Sequence, residues 1–255
     1  NQCRYRSDCG FLTRSYGSGC TRTSNNDRTS IANDAMRKLI SSILGLSLFS
    51  LPAVAEPTKG YYTMDAMGCM ILRECTDDVK QVKSIQDISD NYTEYSFDGV
   101  SDEFNSMVRS LDKIGVNVFL GHVKYFPPGH RGVYHTVGNN FFLNKAFMHR
   151  PSVLMSVMRH EGWHAAQDCM AGTIDNSLIA IILPEESVPP LWRAMTEKTY
   201  PSAAVPWEAE ATWAGKTEGM TMKALAACAS GKMWEVYEPT PLTKKFLVEE
   251  GFISK

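Results

Sequence analysis

Apolar side chains recur at every third or fourth position between residues 101 and 114. This spacing predicts one face of an α-helix, which Gly115 would end. A second helix is predicted to begin at Pro151 and Ser152, because proline is favoured at the first helical position and apolar residues follow at helical spacing. The apolar positions are Phe104, Met107, Val108, Leu111 and Ile114 in the first helix, and Val153, Leu154, Val157 and Met158 in the second.

Between these helices the pattern changes to short runs that are typical of strands. Residues 116–123 predict one strand and Pro127-Pro128-Gly129 a turn. Residues 133–143 predict two short strands joined around Val137-Gly138-Asn139-Asn140. Residues 56–99 have no strong period and are expected to wrap the outside of the domain. The predicted order is therefore helix, strand, strand pair, helix.

The composition is that of an ordinary globular protein. The 255 residues are 44% hydrophobic and 21% charged, which is enough for one core of moderate size. A formal net charge of −2 gives no basic field for nucleic acid. No apolar stretch is long enough to span a bilayer.

Residues 36–55 have the organisation of a secretory signal peptide. Met36-Arg37-Lys38 is a basic start, residues 39–51 form a short apolar run, and Ala53-Val54-Ala55 fits the small-x-small cleavage pattern. A membrane anchor would need about 18 apolar residues, more than this run offers. We expect a secreted or periplasmic protein that keeps no stable membrane anchor and whose single domain spans residues 56–255. Residues 1–35 are then a non-native or disordered leader, and N-terminal sequencing of exported protein tests this division.

Cysteine usage agrees with export. Three of the seven cysteines lie in the leader, which leaves an even four for the mature chain. Of the three possible connectivities we favour a local Cys69–Cys75 bridge and a long-range Cys169–Cys228 bridge. A four-cysteine zinc site is disfavoured, since it usually uses close Cys-x-x-Cys pairs and none is present.

The second predicted helix contains His160-Glu161-Gly162-Trp163-His164. Four residues are slightly more than one helical turn, so His160 and His164 share one face and can bind one zinc ion (Zn²⁺). Glu161 would lie beside the open position of the metal as a general base. The alternative is a chance match between the motif and two core histidines.

This motif, preceded by a helix and a small sheet, resembles the zincin metallopeptidases. The resemblance implies an α+β, zincin-like domain with a small mixed sheet, a metal-binding helix and a mainly helical C-terminal part. It also implies an edge strand along the active-site cleft that pairs with an extended peptide substrate. We expect residues 140–144 to be that edge strand; the alternative is a plain structural hairpin over residues 133–144.

A third protein ligand decides the subfamily. All six histidines lie at or before position 164, and Gln167 and Met170 occupy the last two positions of the extended metzincin motif, which excludes that group. Residues 206–215 instead resemble the second helix of gluzincins, in which a glutamate near the helix start is the third ligand. Glu208 is the candidate, with Thr212 one turn later in the supporting position. Glu210 lies about 200° from Glu208 around the helix and is expected on the surface.

Two aspartates are rivals for the third ligand. Asp175, in Gly172-Thr173-Ile174-Asp175, is similar to an aspzincin motif, but that motif continues with Tyr-Gly where this chain has Leu178-Ile179. Asp168 lies eight residues after His160, about 12 Å along the helix axis, which is too far for one ion.

The resemblance implies a secreted zinc metallopeptidase that hydrolyses peptide bonds in a peptide or protein substrate. Glu161 would activate the water, and His160, His164 and Glu208 would bind the zinc. An exported binding protein with the same fold and no turnover is the alternative function. Five residues are candidates for stabilising the oxyanion: Tyr134, His135, His149, Tyr200 and Tyr237.

Overall fold

One four-stranded sheet lies at the centre of the N-terminal half. A computed structural model describes residues 64–172 and 178–254, and within these ranges the strands are β1 (Val79–Val82), β2 (Asn117–Gly121), β3 (Gly132–His135) and β4 (Asn140–Asn144). Their order is β1-β2-β4-β3. β2 is antiparallel to β1 and parallel to β4, and β3 is antiparallel to β4. The predicted strand pair at residues 133–143 is therefore confirmed.

The position of β4 corrects one prediction. Residues 140–144 were expected at the edge of the sheet, but β4 pairs with β2 on one side and with β3 on the other. All five of its residues are buried, which is typical of an interior strand covered on both faces. The strand at the edge next to β4 is β3, whose residues are half-buried.

The two faces of the sheet contact different clusters of side chains. Val118, Leu120, Phe141 and Leu143 belong to the main core, which the longer helices share. On the other face, Phe119 and Phe142 stack on each other in a smaller cluster that also contains Met70 and Phe126. The alternation along β2 and β4 thus buries both faces of the sheet.

The other regular elements of the described chain are helices. The helix predicted over residues 101–114 is observed as α3 (Ser101–Lys113), and Gly115 follows with a φ of 87°, which favours glycine. The bounds of the remaining helices are α1 Met64–Ile71, α2 Ile85–Ser89, α4 Pro151–Met170, α5 Pro190–Thr196, α6 Val205–Ala214, α7 Met220–Ala229, α8 Met233–Val236 and α9 Pro241–Glu249.

The long helix α4 is the element on which the others assemble. It begins at Pro151, as predicted, and packs against α3, α6, α7 and β3. Gly162 allows α3 and α7 to approach α4 closely, because a Cβ at this position would lie 3.1 Å from the Met107 side chain of α3 and 3.1 Å from that of Thr221 in α7. A helix enclosed in this way can carry buried polar groups whose positions its neighbours fix.

Both predicted disulfides are present. Cys69 is bonded to Cys75, and Cys169 at the end of α4 is bonded to Cys228 in α7. Such bonds fit a protein of an oxidising, extracellular environment. Among the described residues no helix combines the length and the apolar character that a membrane crossing requires.

The observed class is α+β, as predicted, with a small mixed sheet followed by a mainly helical C-terminal part. The predicted leader at residues 1–35 and the signal peptide at residues 36–55 lie outside the described residues.

Candidate metal centre

Three predicted ligands meet between α4 and α6. His160 and His164 lie one turn apart on α4, with ring centroids 4.9 Å apart and ring planes nearly perpendicular. Glu208, in the first turn of α6, places Oε2 3.4 Å from His160 Nε2 and 3.6 Å from His164 Nε2. The three atoms lie within 4.8 Å of one another. The group could therefore hold one metal ion.

The separations and the bonding of these atoms fit such an ion. Two ligand atoms at about 2.1 Å from a tetrahedral zinc lie about 3.4 Å from each other. Glu208 Oε2 is buried and has no hydrogen-bond partner among the described residues. A buried carboxylate oxygen without a partner is costly, and a cation between the three atoms would remove that cost.

The charged groups of the site shift the pKa values of their neighbours. Burial alone would raise the pKa of Glu208, but the imidazoles of His164 and His160 outweigh it and hold the pKa well below the ordinary range. Burial alone would lower the pKa of His164, but the charges of Glu208 and Glu161 raise it to about 9. Without a metal, protonated His164 balances the charge of the Glu208 carboxylate. A bound divalent cation would take over that role.

Glu161 is held by the edge strand. Its Oε2 accepts a hydrogen bond of 3.0 Å from the backbone N–H of Tyr134 in β3. Gly132 makes this contact possible, because a Cβ there would lie 2.6 Å from Val157 Cγ1 and 3.1 Å from Glu161 Oε1. The Tyr134 hydroxyl also donates to Asp168 Oδ2 of α4 at 2.9 Å. β3 is thus fixed against α4 at the level of Glu161.

The residue that supports His164 differs from the predicted one. Thr212 was expected in that position, but its hydroxyl lies 3.4 Å from that of Thr196. His164 Nδ1 is instead 2.8 Å from Gln167 Oε1. Gln167 follows His164 by three residues on the same helix, so the i, i+3 spacing in the sequence was a signal that could have identified it.

Glu210 was expected on the surface, and that prediction is wrong. Its exposed fraction is 1%, and its oxygens accept hydrogen bonds from the N–H groups of four residues: Trp163 Nε1, Gln167 Nε2 and the backbone of Ile182 and Leu183. Burial raises the pKa of Glu210, and these donors act in the opposite direction. Glu208 therefore faces the histidines of α4, and Glu210 lies between α4 and the chain at residues 182–183.

Tyr200 is the oxyanion candidate whose hydroxyl interacts with the ligand group. Burial raises its pKa, and the negative charges of Glu208 and Glu161 raise it further. The other four candidates have different surroundings: Tyr134 donates to Asp168, the Tyr237 ring meets the Trp163 edge, His149 lies beside Tyr95, and His135 Nδ1 has no partner among the described residues.

Of the two rival ligands, Asp168 is not among the residues of this group. Asp168 is hydrogen bonded to Tyr134. Asp175 lies outside the described residues.

No family model, curated protein or solved structure matches this chain. The functional argument therefore depends on the residues of the site and their geometry.

Proposed function

We propose that the protein is a secreted, zincin-like zinc peptidase. The observation that carries the proposal is the convergence of His160 Nε2, His164 Nε2 and Glu208 Oε2 at 3.4 and 3.6 Å, with the Glu161 carboxylate held next to them on α4. Two imidazoles and one carboxylate are a ligand set typical of catalytic zinc, which keeps one position open. The two disulfides support secretion.

His160, His164 and Glu208 would hold the metal. Bound zinc would polarise the substrate carbonyl and lower the pKa of a water molecule towards about 7. Glu161 would accept the proton of the attacking water and then donate it to the leaving amine. Because Tyr134 N–H holds Oε2, the other oxygen of Glu161 is left for this transfer. The Tyr200 hydroxyl, which feels the charge of Glu208, would be the donor that stabilises the oxyanion.

The substrate would be an extended peptide or protein segment beside β3. One side of β3 pairs with β4, and within the described residues no strand pairs with the other side. Tyr134 donates its N–H to Glu161 rather than to β4, so this unpaired side faces the site. A peptide that pairs with this edge would bring its carbonyl groups past the ligand group.

Metal analysis combined with two substitutions tests the proposal. Purified protein should contain about one zinc per chain and should lose hydrolysis of an unfolded protein substrate when a chelator removes it. Glu161→Gln should keep the zinc and lower kcat by about 10²- to 10⁴-fold, because it removes the base and no ligand. His160→Ala should lose both zinc and activity. Zinc-loaded protein without hydrolysis would favour the exported binding protein, and an active Glu161→Gln would contradict the role of Glu161.

A further inference from the structure

A chain of buried hydrogen bonds connects His164 to α6. His164 Nδ1 is 2.8 Å from Gln167 Oε1, and Gln167 Nε2 donates to Glu210 Oε2 at 2.8 Å and to the Trp207 carbonyl at 3.1 Å. Gln167 has an exposed fraction of 0%. The side-chain amide of Gln167 is therefore fully enclosed and uses both of its ends.

The partners of Gln167 decide how its amide is oriented. The Trp207 carbonyl can only accept a hydrogen bond. The oxygens of Glu210 already face the N–H groups of Trp163, Ile182 and Leu183, so Glu210 is also an acceptor for Gln167. The amide nitrogen must then point to α6, and Oε1 must point to His164.

This orientation decides where the proton of His164 lies. Gln167 Oε1 can only accept, so His164 Nδ1 must be the donor and carry the hydrogen. In the neutral imidazole Nε2 is then left with its lone pair, and it is the nitrogen that faces Glu208 Oε2. A metal ion binds a histidine nitrogen through that lone pair.

We propose that Gln167 and Glu210 act together as a positioning pair that fixes His164 with its hydrogen on Nδ1 and its Nε2 directed at the metal. The inference rests on the proposed metal site. Glu210 acts through Gln167 and does not touch the metal. A residue that orients a metal-binding histidine typically contributes about 10- to 100-fold to metal affinity.

Three variants test the pair. Gln167→Met keeps the length of the side chain and removes its three hydrogen bonds. Glu210→Gln keeps the shape but sets an NH₂ group against N–H donors, which favours a reversed Gln167 amide. Each should weaken zinc binding by about 10- to 100-fold. In the double variant Gln167→Glu/Glu210→Gln, the carboxylate introduced at position 167 can again accept from His164 Nδ1 and from the amide at position 210, but it no longer donates to the Trp207 carbonyl. This variant should therefore bind zinc more tightly than Glu210→Gln and less tightly than the wild type.

The measurements do not require peptidase activity. Zinc affinity is obtained by competition with a chromogenic chelator. NMR of the His164 ring nitrogens in zinc-loaded protein identifies the nitrogen that carries the hydrogen. The matched control is Trp163→Phe, which removes one donor to Glu210 and leaves the bond between Gln167 and His164. It should lower stability and leave zinc affinity and the His164 proton unchanged.

Unchanged zinc affinity in both single variants, or a double variant no tighter than Glu210→Gln, would overturn the inference. So would a hydrogen on Nε2 of His164 in the zinc-loaded wild type. If Gln167→Met does not fold, the two variants at position 210 carry the test, because their side chains keep the native shapes. A protein that meets these expectations and hydrolyses no peptide would contradict the proposed function and leave the positioning pair in place.

Discussion

Helix α6 carries two glutamates, Glu208 and Glu210, whose carboxylates differ in their partners. Both oxygens of Glu210 accept N–H hydrogen bonds. Glu208 Oε2 has no hydrogen bond within the described residues and lies near two imidazole nitrogens instead. Glu208 is half-buried and Glu210 is fully buried, but the larger difference between them lies in their hydrogen bonds. A carboxylate with all its bonds made stabilises the fold, whereas one left open towards other ligand atoms can bind a cation.

The largest test of this contrast is removal of the open carboxylate. Glu208→Ala should lower zinc affinity by orders of magnitude, because one of three protein ligands is lost. Zinc at 100 times the wild-type Kd should stabilise the wild type by about 2.7 kcal/mol and this variant hardly at all. Thermal denaturation with and without zinc measures the difference. Glu218→Ala, at an exposed glutamate beyond α6, is the control and should respond to zinc like the wild type; equal zinc stabilisation of Glu208→Ala would contradict the ligand assignment.

Removal of the Cys169–Cys228 disulfide tests whether zinc binding at Glu208 also depends on how α4 is held. Cys169→Ala/Cys228→Ala opens a loop with a sequence separation of 59 residues. The loop-entropy relation gives a loss of about 4 kcal/mol in the free energy of unfolding. Zinc should also be lost more readily, since the end of α4 is no longer bonded to α7. Urea denaturation and a zinc-release assay measure the two effects.

The control for this bond is Cys69→Ala/Cys75→Ala, which opens a loop with a separation of only 6 residues. The same relation gives about 2 kcal/mol. Cys75 packs with the smaller cluster on the other face of the sheet, so zinc release should stay at the wild-type rate. Equal zinc release from both double variants would show that the position of α4 at the metal site does not depend on the Cys169–Cys228 bond.

Removal of the Glu210 carboxylate, whose oxygens both accept hydrogen bonds, should mainly lower the stability of the protein. Glu210→Ala leaves several buried N–H groups without an acceptor, and each such group costs about 1–3 kcal/mol. We expect the free energy of unfolding of the metal-free protein to fall by at least about 3 kcal/mol. Chemical denaturation in the presence of a chelator measures this without any contribution from zinc. A loss below about 0.5 kcal/mol would be that of a surface residue and would contradict the saturated arrangement.

The smallest effect is expected at Thr212, which lies one turn after Glu208 on α6. Its hydroxyl interacts with Thr196 and not with a histidine. Thr212→Val should leave zinc affinity unchanged and alter the free energy of unfolding by no more than about 0.5 kcal/mol. Zinc titration of the variant is sufficient to check this. Weakened binding would return Thr212 to the supporting role that the helix spacing predicted.

The success of the sequence-based predictions follows the range of the interactions involved. His160 and His164 could be placed together because helical spacing decides which side chains share a face. Glu208 was chosen because residues 206–215 resemble the second helix of gluzincins, and no local pattern shows that this helix lies beside α4. The interior position of β4 could not be predicted, because it depends on pairing with β2, which lies about 20 residues earlier in the chain. Glu210 was misplaced for the same reason. Its burial depends on the backbone N–H groups of Ile182 and Leu183, and no local pattern shows where those groups lie.

The hydrogen bond from Tyr134 to Glu161 has a consequence for hydrogen exchange. Amides on the open side of an edge strand exchange rapidly with solvent, because no neighbouring strand protects them. The Tyr134 amide lies on that side of β3, and its hydrogen-bond acceptor is the Glu161 carboxylate. Its exchange rate in solution therefore reports how much of the time that carboxylate occupies the position described above, before any substrate is added.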